Sequence, residues 1–154
     1  MVKRILLIAL VFAVALASCN NNGSQQMAKQ AAVDDSLIRA YIKTNHINAV
    51  KHTSGLYYQI IKEGNGANAT AGSTVDVTYE GRLLSGVVFD HSVNPISFSL
   101  KDVIAGWTIG IPLVKAGGKI MLIIPSHLGY GPRDSGPIPE NAVLAFDIDV
   151  LKVQ

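Results

Sequence analysis

The sequence predicts an α+β fold: an antiparallel sheet of about five strands with one short helix, and a further short helix ahead of them. Two observations lead there. From about residue 56 onward, short runs rich in β-branched and aromatic residues alternate with Gly, Asn and Pro turn signals. Among them a single stretch, Val103-Ile104-Ala105-Gly106-Trp107 on to Ile111, has helical spacing, and Pro112 limits its continuation. One helix against about five strands is an α+β domain.

The chain has 154 residues, 49% of them hydrophobic and 16% charged, enough for one compact core. Residues 1–18 inflate that apolar share. Lys3 and Arg4 precede an apolar stretch from Ile5 to Leu16 and then small residues, the layout of a cleaved secretory signal. That stretch falls short of the ~20 residues that span a bilayer as a helix. Leu16-Ala17-Ser18-Cys19 resembles the bacterial lipoprotein box, in which the cysteine receives lipid and becomes the mature N-terminus. The resemblance implies a protein anchored in a bacterial cell envelope, at the outer membrane in preference to the inner, through acyl chains worth about 0.8 kcal/mol per buried methylene. A soluble secreted protein with a cysteine near the cut is the other reading. Cys19 is the sole cysteine, so the fold has no internal disulfide.

Of 13 basic side chains, two lie in residues 1–18, which leaves 11 against 11 acidic ones. A neutral domain without a basic stripe gives no support for nucleic-acid binding.

Residues 19–33 read as a flexible tether, since Asn20 to Gln30 are almost devoid of apolar side chains. In residues 34–53, Asp34-Asp35 ahead of Leu37, Ile38, Tyr41 and Ile42 predicts an amphipathic helix over about 34–44, its acids at the positive end of the helix dipole. Such a helix can pack on the domain, pair two copies or cover an exposed sheet edge. The domain proper occupies residues 54–154. Strand-like pieces, six for about five strands, are expected at Leu56 to Ile61, at Thr74 to Arg82 with Val75, Val77 and Tyr79 on one face, near Val87 to Asp90, at Ile96 to Leu100, at Lys119 to Ile124 and at Val143 to Leu151.

Short aromatic motifs punctuate these strands: Val77-Thr78-Tyr79-Glu80-Gly81, Val88-Phe89-Asp90-His91-Ser92, the Trp107 segment, Gly117-Gly118-Lys119, Ile124-Pro125, Gly129-Tyr130-Gly131 and Ala145-Phe146-Asp147. In that order and spacing they resemble the FKBP-type peptidyl-prolyl cis/trans isomerases, over residues 54 to 153. The resemblance implies a five-stranded, curved antiparallel sheet wrapped on one short helix, and a pocket for Pro-containing polypeptides between helix and sheet, with Tyr79, Phe89, Asp90, Val103, Ile104, Trp107, Tyr130 and Phe146 around it. Ile138, in Gly136-Pro137-Ile138-Pro139, matches a pocket-edge position. The resemblance further implies that Trp107 is the floor, that the Ile104 N–H and the Tyr130 hydroxyl bind substrate carbonyls, and that Asp90 accepts from Tyr79 near the rotating bond. Binding of the family's macrolide inhibitors is implied as well. In Pro95-Ile96-Ser97-Phe98, Ile96 stands where the family commonly has an aromatic, which is expected to remove one ring from the wall.

Each residue also has a purely structural reading: Trp107, Phe89 and Phe146 as core, Asp90 as a turn cap with Ser92. No metal or cofactor is called for, since the four histidines share no ligand spacing. Asp90, His91 and Ser92 are adjacent on a strand and point to alternate faces, so they form no catalytic triad. Two functions follow: an isomerase for X-Pro bonds in exported proteins, or a lipid-anchored chaperone that holds Pro-containing segments with little catalysis.

Overall fold

The computed structural model describes residues 21–154, and the expected leader and Cys19 lie outside the described residues. Helix α1 (Asn21–Thr44) leads into six strands: β1 (Val50–Lys51), β2 (Tyr57–Lys62), β3 (Thr74–Leu83), β4 (Val88–Ser99), β5 (Gly118–Ile124) and β6 (Leu144–Val153). Helix α2 (Ala105–Gly110) lies between β4 and β5. The strands form one antiparallel sheet in the order β1-β2-β5-β6-β3-β4. The sixth strand is the two-residue β1, too short and too exposed to leave an alternating signal.

β4 unites two pieces that read as separate strands. The register jumps between Val77, opposite Ile96, and Tyr79, opposite Ser92, so the strand carries extra residues around Val93-Asn94-Pro95. Proline has no N–H for a ladder, and an edge strand tolerates it and the bulge that goes with it.

The main core lies between α2 and the sheet, where Val75, Val77, Ile120, Leu122, Ile124, Ile148 and Val150 meet Trp107 and Ile111. The close approach of α2 depends on two glycines one turn apart. A Cβ on Gly106 would lie 2.6 Å from the Ile124 side chain, and one on Gly110 would lie 2.6 Å from that of Leu122. The helix backbone therefore rests directly on β5.

α1 differs most from expectation. It begins at Asn21, so residues 21–33, read as a tether, are helical. Gln25, Gln26, Met27, Ala28, Lys29, Gln30, Ala31 and Ala32 are strong helix formers, and propensity prevails where apolar content is low. Asp34 and Asp35 consequently sit mid-helix rather than at its start, and they make tertiary contacts. Asp35 accepts from the Lys51 ammonium at 2.6 Å and the Tyr57 hydroxyl at 2.7 Å, which hold its carboxyl below the usual carboxylate range. Asp34 is fully buried against Ser126. Between these anchors and the C-terminal turn, Ile38 is fully buried in a second cluster with Tyr57, Ile123 and Val143. α1 is thus packed on the domain. No helix among the described residues is long and apolar enough to cross a membrane.

Ile38→Ala is expected to cost about 2–5 kcal/mol. In urea unfolding the midpoint should fall with little change in slope; an unchanged midpoint would show that α1 contributes nothing to the domain.

Candidate active site

Trp107 is placed by its position on a helix that cannot stand off from the sheet. The carbonyl of Ile104 accepts the N–H groups of Trp107 at 2.9 Å and Thr108 at 3.3 Å, and the Thr108 hydroxyl donates to the Leu100 carbonyl at 2.7 Å. This fixes the start of α2 against the end of β4. The indole is buried and meets three rings edge-on: Tyr79 at 5.2 Å, Phe146 at 5.4 Å and Phe98 at 5.5 Å between centroids. Such T-shaped contacts are each worth about 0.5–1.5 kcal/mol beyond the area they bury. The indole N–H has no acceptor among the described residues, so the floor is held by ring packing.

Over this floor opens a cavity of about 380 Å³ lined by Tyr79, Phe89, Asp90, Phe98, Asp102, Val103, Ile104, Trp107, Tyr130 and Phe146. Phe89 and Phe146 meet edge-on at 5.5 Å across Gly81. A Cβ on Gly81 would come within 2.6 Å of Phe146 and 2.8 Å of Phe89, so a bare backbone is what lets both rings reach the wall.

The polar groups sit at the rim. The Tyr79 hydroxyl donates to Asp90 Oδ2 at 2.7 Å. Burial first, and then that bond to Asp90, push the Tyr79 phenol up to about 12, so at neutral pH it is a neutral donor. Asp102 adds a second carboxylate. Ile104 has extended backbone (φ −60°, ψ 147°) and lines the cavity. Its N–H makes no backbone hydrogen bond among the described residues. Tyr130, between two glycines, is 41% exposed and completes the rim.

Eight expected residues are thus brought together: Tyr79, Phe89, Asp90, Val103, Ile104, Trp107, Tyr130 and Phe146. Two are not. Ile96 lies beside the β4 irregularity, 40% exposed and away from the cavity. The ring expected to be missing is supplied two residues later by Phe98, which meets both Trp107 and Tyr79 edge-on. Ile138 is buried in the main core and does not line the cavity. Phe98 and Asp102 are the residues that sequence reasoning missed. Among the described residues, no group of three or more His, Cys, Asp or Glu side chains could hold a metal ion.

A family model for FKBP-type peptidyl-prolyl cis-trans isomerases matches residues 66–151. The chain belongs to this family. It is 41% identical over 143 residues to a probable FKBP-type peptidyl-prolyl cis-trans isomerase of Haemophilus influenzae, covering 90% of this chain and 58% of that protein. It is 38% identical over 143 residues to FkpA of Escherichia coli K12, covering 90% and 53%. The crystal structure of the latter superposes with a TM-score of 0.72 at 37% identity, over 85% of this chain and 64% of that one. A peptidyl-prolyl cis-trans isomerase from Pseudomonas syringae gives 0.73 at 28% identity, over 82% and 95%. The chain spans about half the length of the curated relatives it matches. In this FKBP-type chain the matched stretch contains every residue that lines the cavity.

The raised Tyr79 pKa sets a pH dependence. Its folded value, about 12, lies above the ordinary 10.0, so the stabilisation is complete below pH 10 and is lost as pH rises toward 12. The stability difference between the unaltered protein and Tyr79→Phe should therefore shrink over that window in denaturant unfolding. A constant difference would contradict the shift.

Proposed function

We propose that this chain is a peptidyl-prolyl cis/trans isomerase that accelerates rotation about X-Pro bonds in exported polypeptides. The observation that carries the reading is the ring-floored cavity over Trp107, whose hydrogen-bonding groups lie at its rim. Membership of the family supports it. Rotation about a peptide bond must break amide resonance, a barrier of about 18–20 kcal/mol, yet no bond is made or cut. At X-Pro bonds the isomers differ by about 0.5–1 kcal/mol, so both are populated and their exchange is slow. An enzyme gains rate by binding the twisted amide more tightly than either planar form.

A twisted amide has lost conjugation, and its carbonyl is less dipolar than that of the planar form. Moving it from water into an apolar, aromatic cavity therefore costs less. In this reading the proline ring rests on Trp107 between Phe89, Val103 and Phe146. The Ile104 N–H and the Tyr130 hydroxyl hold flanking substrate carbonyls, so the chain on either side is fixed while the bond turns. Asp90, held by Tyr79, faces the carbonyl of the rotating amide. Phe98 supplies the wall that Ile96 does not, and the same cavity would accept the macrolide inhibitors of the family.

The reading extends to the envelope. Residues 1–18 would be a cleaved leader and Cys19 a lipidated N-terminus holding the domain at a bacterial membrane, the outer one in preference to the inner. The composition of 1–18 and the Leu16-Ala17-Ser18-Cys19 run support this. The mass of the membrane-fraction protein tests it: acyl additions are expected on a chain that starts at Cys19.

The function is tested by the cis/trans relaxation of a short Leu-Pro or Phe-Pro peptide with and without the mature protein at micromolar concentration. Acceleration is expected. Tyr130→Phe should lower kcat/KM by about fivefold, the equivalent of one hydrogen bond of about 1 kcal/mol. Asp90→Ala should lower it further without unfolding the domain. Relaxation no faster than in buffer, with a Pro-rich segment still bound, would overturn the isomerase reading in favour of a chaperone that only holds its client.

A further inference from the structure

Asp34 is a fully buried carboxyl group on α1, outside the matched family stretch. Three donors converge on its two oxygens. Gln30 Nε2 reaches Oδ1 at 2.8 Å, while the Ser126 N–H and hydroxyl reach Oδ2 at 2.8 and 2.6 Å from 92 residues away in sequence. Burying a carboxyl group is costly unless it is hydrogen-bonded in this way. Fixing α1 to the sheet does not require it, since Ile38 and the Asp35 pair already do that.

What Asp34 grips is the turn that presents Tyr130. Ser126 opens the tight turn Ser126–Leu128, and its carbonyl accepts the N–H of Gly129 at 3.0 Å and that of Gly131 at 2.9 Å. These are the two residues that flank Tyr130. Asp34 thus holds one side of the Ser126 residue, and the other side of that residue holds both neighbours of Tyr130. Gly129 and Gly131 give the segment little stiffness of its own, and the Tyr130 side chain is 41% exposed. The bonds to Ser126, with one from the Asn141 N–H to the Gly131 carbonyl at 2.8 Å, are what orient the segment.

We propose that Asp34 is a positioning residue: through Ser126 it holds the Gly129-Tyr130-Gly131 segment so that the Tyr130 hydroxyl stands at the rim of the prolyl pocket. α1 is then part of the working site although it does not touch substrate. The consequence for activity rests on the isomerase reading above; the ordering of the loop does not.

Asp34→Asn keeps the shape but puts an NH2 group where an oxygen accepted. Two measurements on the mature protein test the proposal. In amide hydrogen exchange by NMR, Gly129 and Gly131 should lose protection in Asp34→Asn while Ile148, in the middle of β6, does not. In peptide isomerisation, kcat/KM should fall by up to about fivefold, the loss expected for removing the Tyr130 hydroxyl itself. The same substitution made in Tyr130→Phe should cost at most about twofold, because the hydroxyl it would misplace is already gone. A residue that only stabilised the fold would give independent, multiplying losses and a general loss of protection. Multiplying losses, or unchanged exchange at Gly129 and Gly131, would overturn the proposal. Were the unaltered protein inactive on peptides, the isomerase reading would fail and the exchange measurement alone would decide the role of Asp34. Should Asp34→Asn fold poorly, Ser126→Ala removes only the hydroxyl donor and should show the same pattern at smaller size.

Discussion

The direct contact of α2 with β5 through Gly106 and Gly110 is the constraint on which the site depends. Packed helices and sheets normally keep apart by the thickness of their side chains; here the helix face toward β5 has none at the two closest points. The gain is depth on the other side. With the α2 backbone held down on Ile124 and Leu122, the indole of Trp107 lies low enough for rings from β3, β4 and β6 to meet it edge-on. A methyl group at either glycine would overlap the Ile124 or Leu122 side chain, so the helix or that side chain would have to shift. Protein interiors are packed like crystals, so a displacement of this kind is not absorbed locally.

This construction suits a reaction that needs no nucleophile, acid or base. The proposed chemistry requires an apolar, rigid place for a twisted amide and a few donors to hold the chain on either side. Rings in mutual edge-on contact provide rigidity without polar groups, and strands β3 and β4 with the loops carrying Asp102, Ile104 and Tyr130 keep the polar groups at the rim. The Tyr79 and Asp90 pair shows how the two demands meet: the phenol on the cavity wall donates to the exposed Asp90 carboxylate, so its one polar atom is satisfied at the rim.

Much of this was legible in the sequence, and the exceptions share a cause. The β3, β5 and β6 patterns and the helical spacing around Trp107 gave the elements, because regular strands convert spacing into position, and the resemblance of the aromatic motifs to the family placed eight rim and wall residues. Ile96 and Phe98 were exchanged because the irregular register near Pro95 breaks that conversion, and only geometry shows which of the two reaches the indole. Ile138 sits in a loop, where spacing carries no such information. Asp102 gave no signal beyond its place next to Val103. The acids of α1 were misread for a different reason. Asp34 and Asp35 resemble the acidic first turn of a helix, and nothing local reveals that Ser126, Lys51 and Tyr57 come to meet them. Long-range contacts of buried polar groups are the part of a fold that local pattern expresses least.

The central claim is that the pocket works by shape and desolvation, with no proton in flight as the bond turns. The direct test is the solvent isotope effect on kcat/KM for a Leu-Pro peptide, measured in H2O and D2O from pH 6 to 9. The account predicts a ratio near ~1 and a flat profile, because general acid–base catalysis is absent. A ratio of about 2 or more, or a bell-shaped profile, would contradict it and make a titrating side chain part of the chemistry.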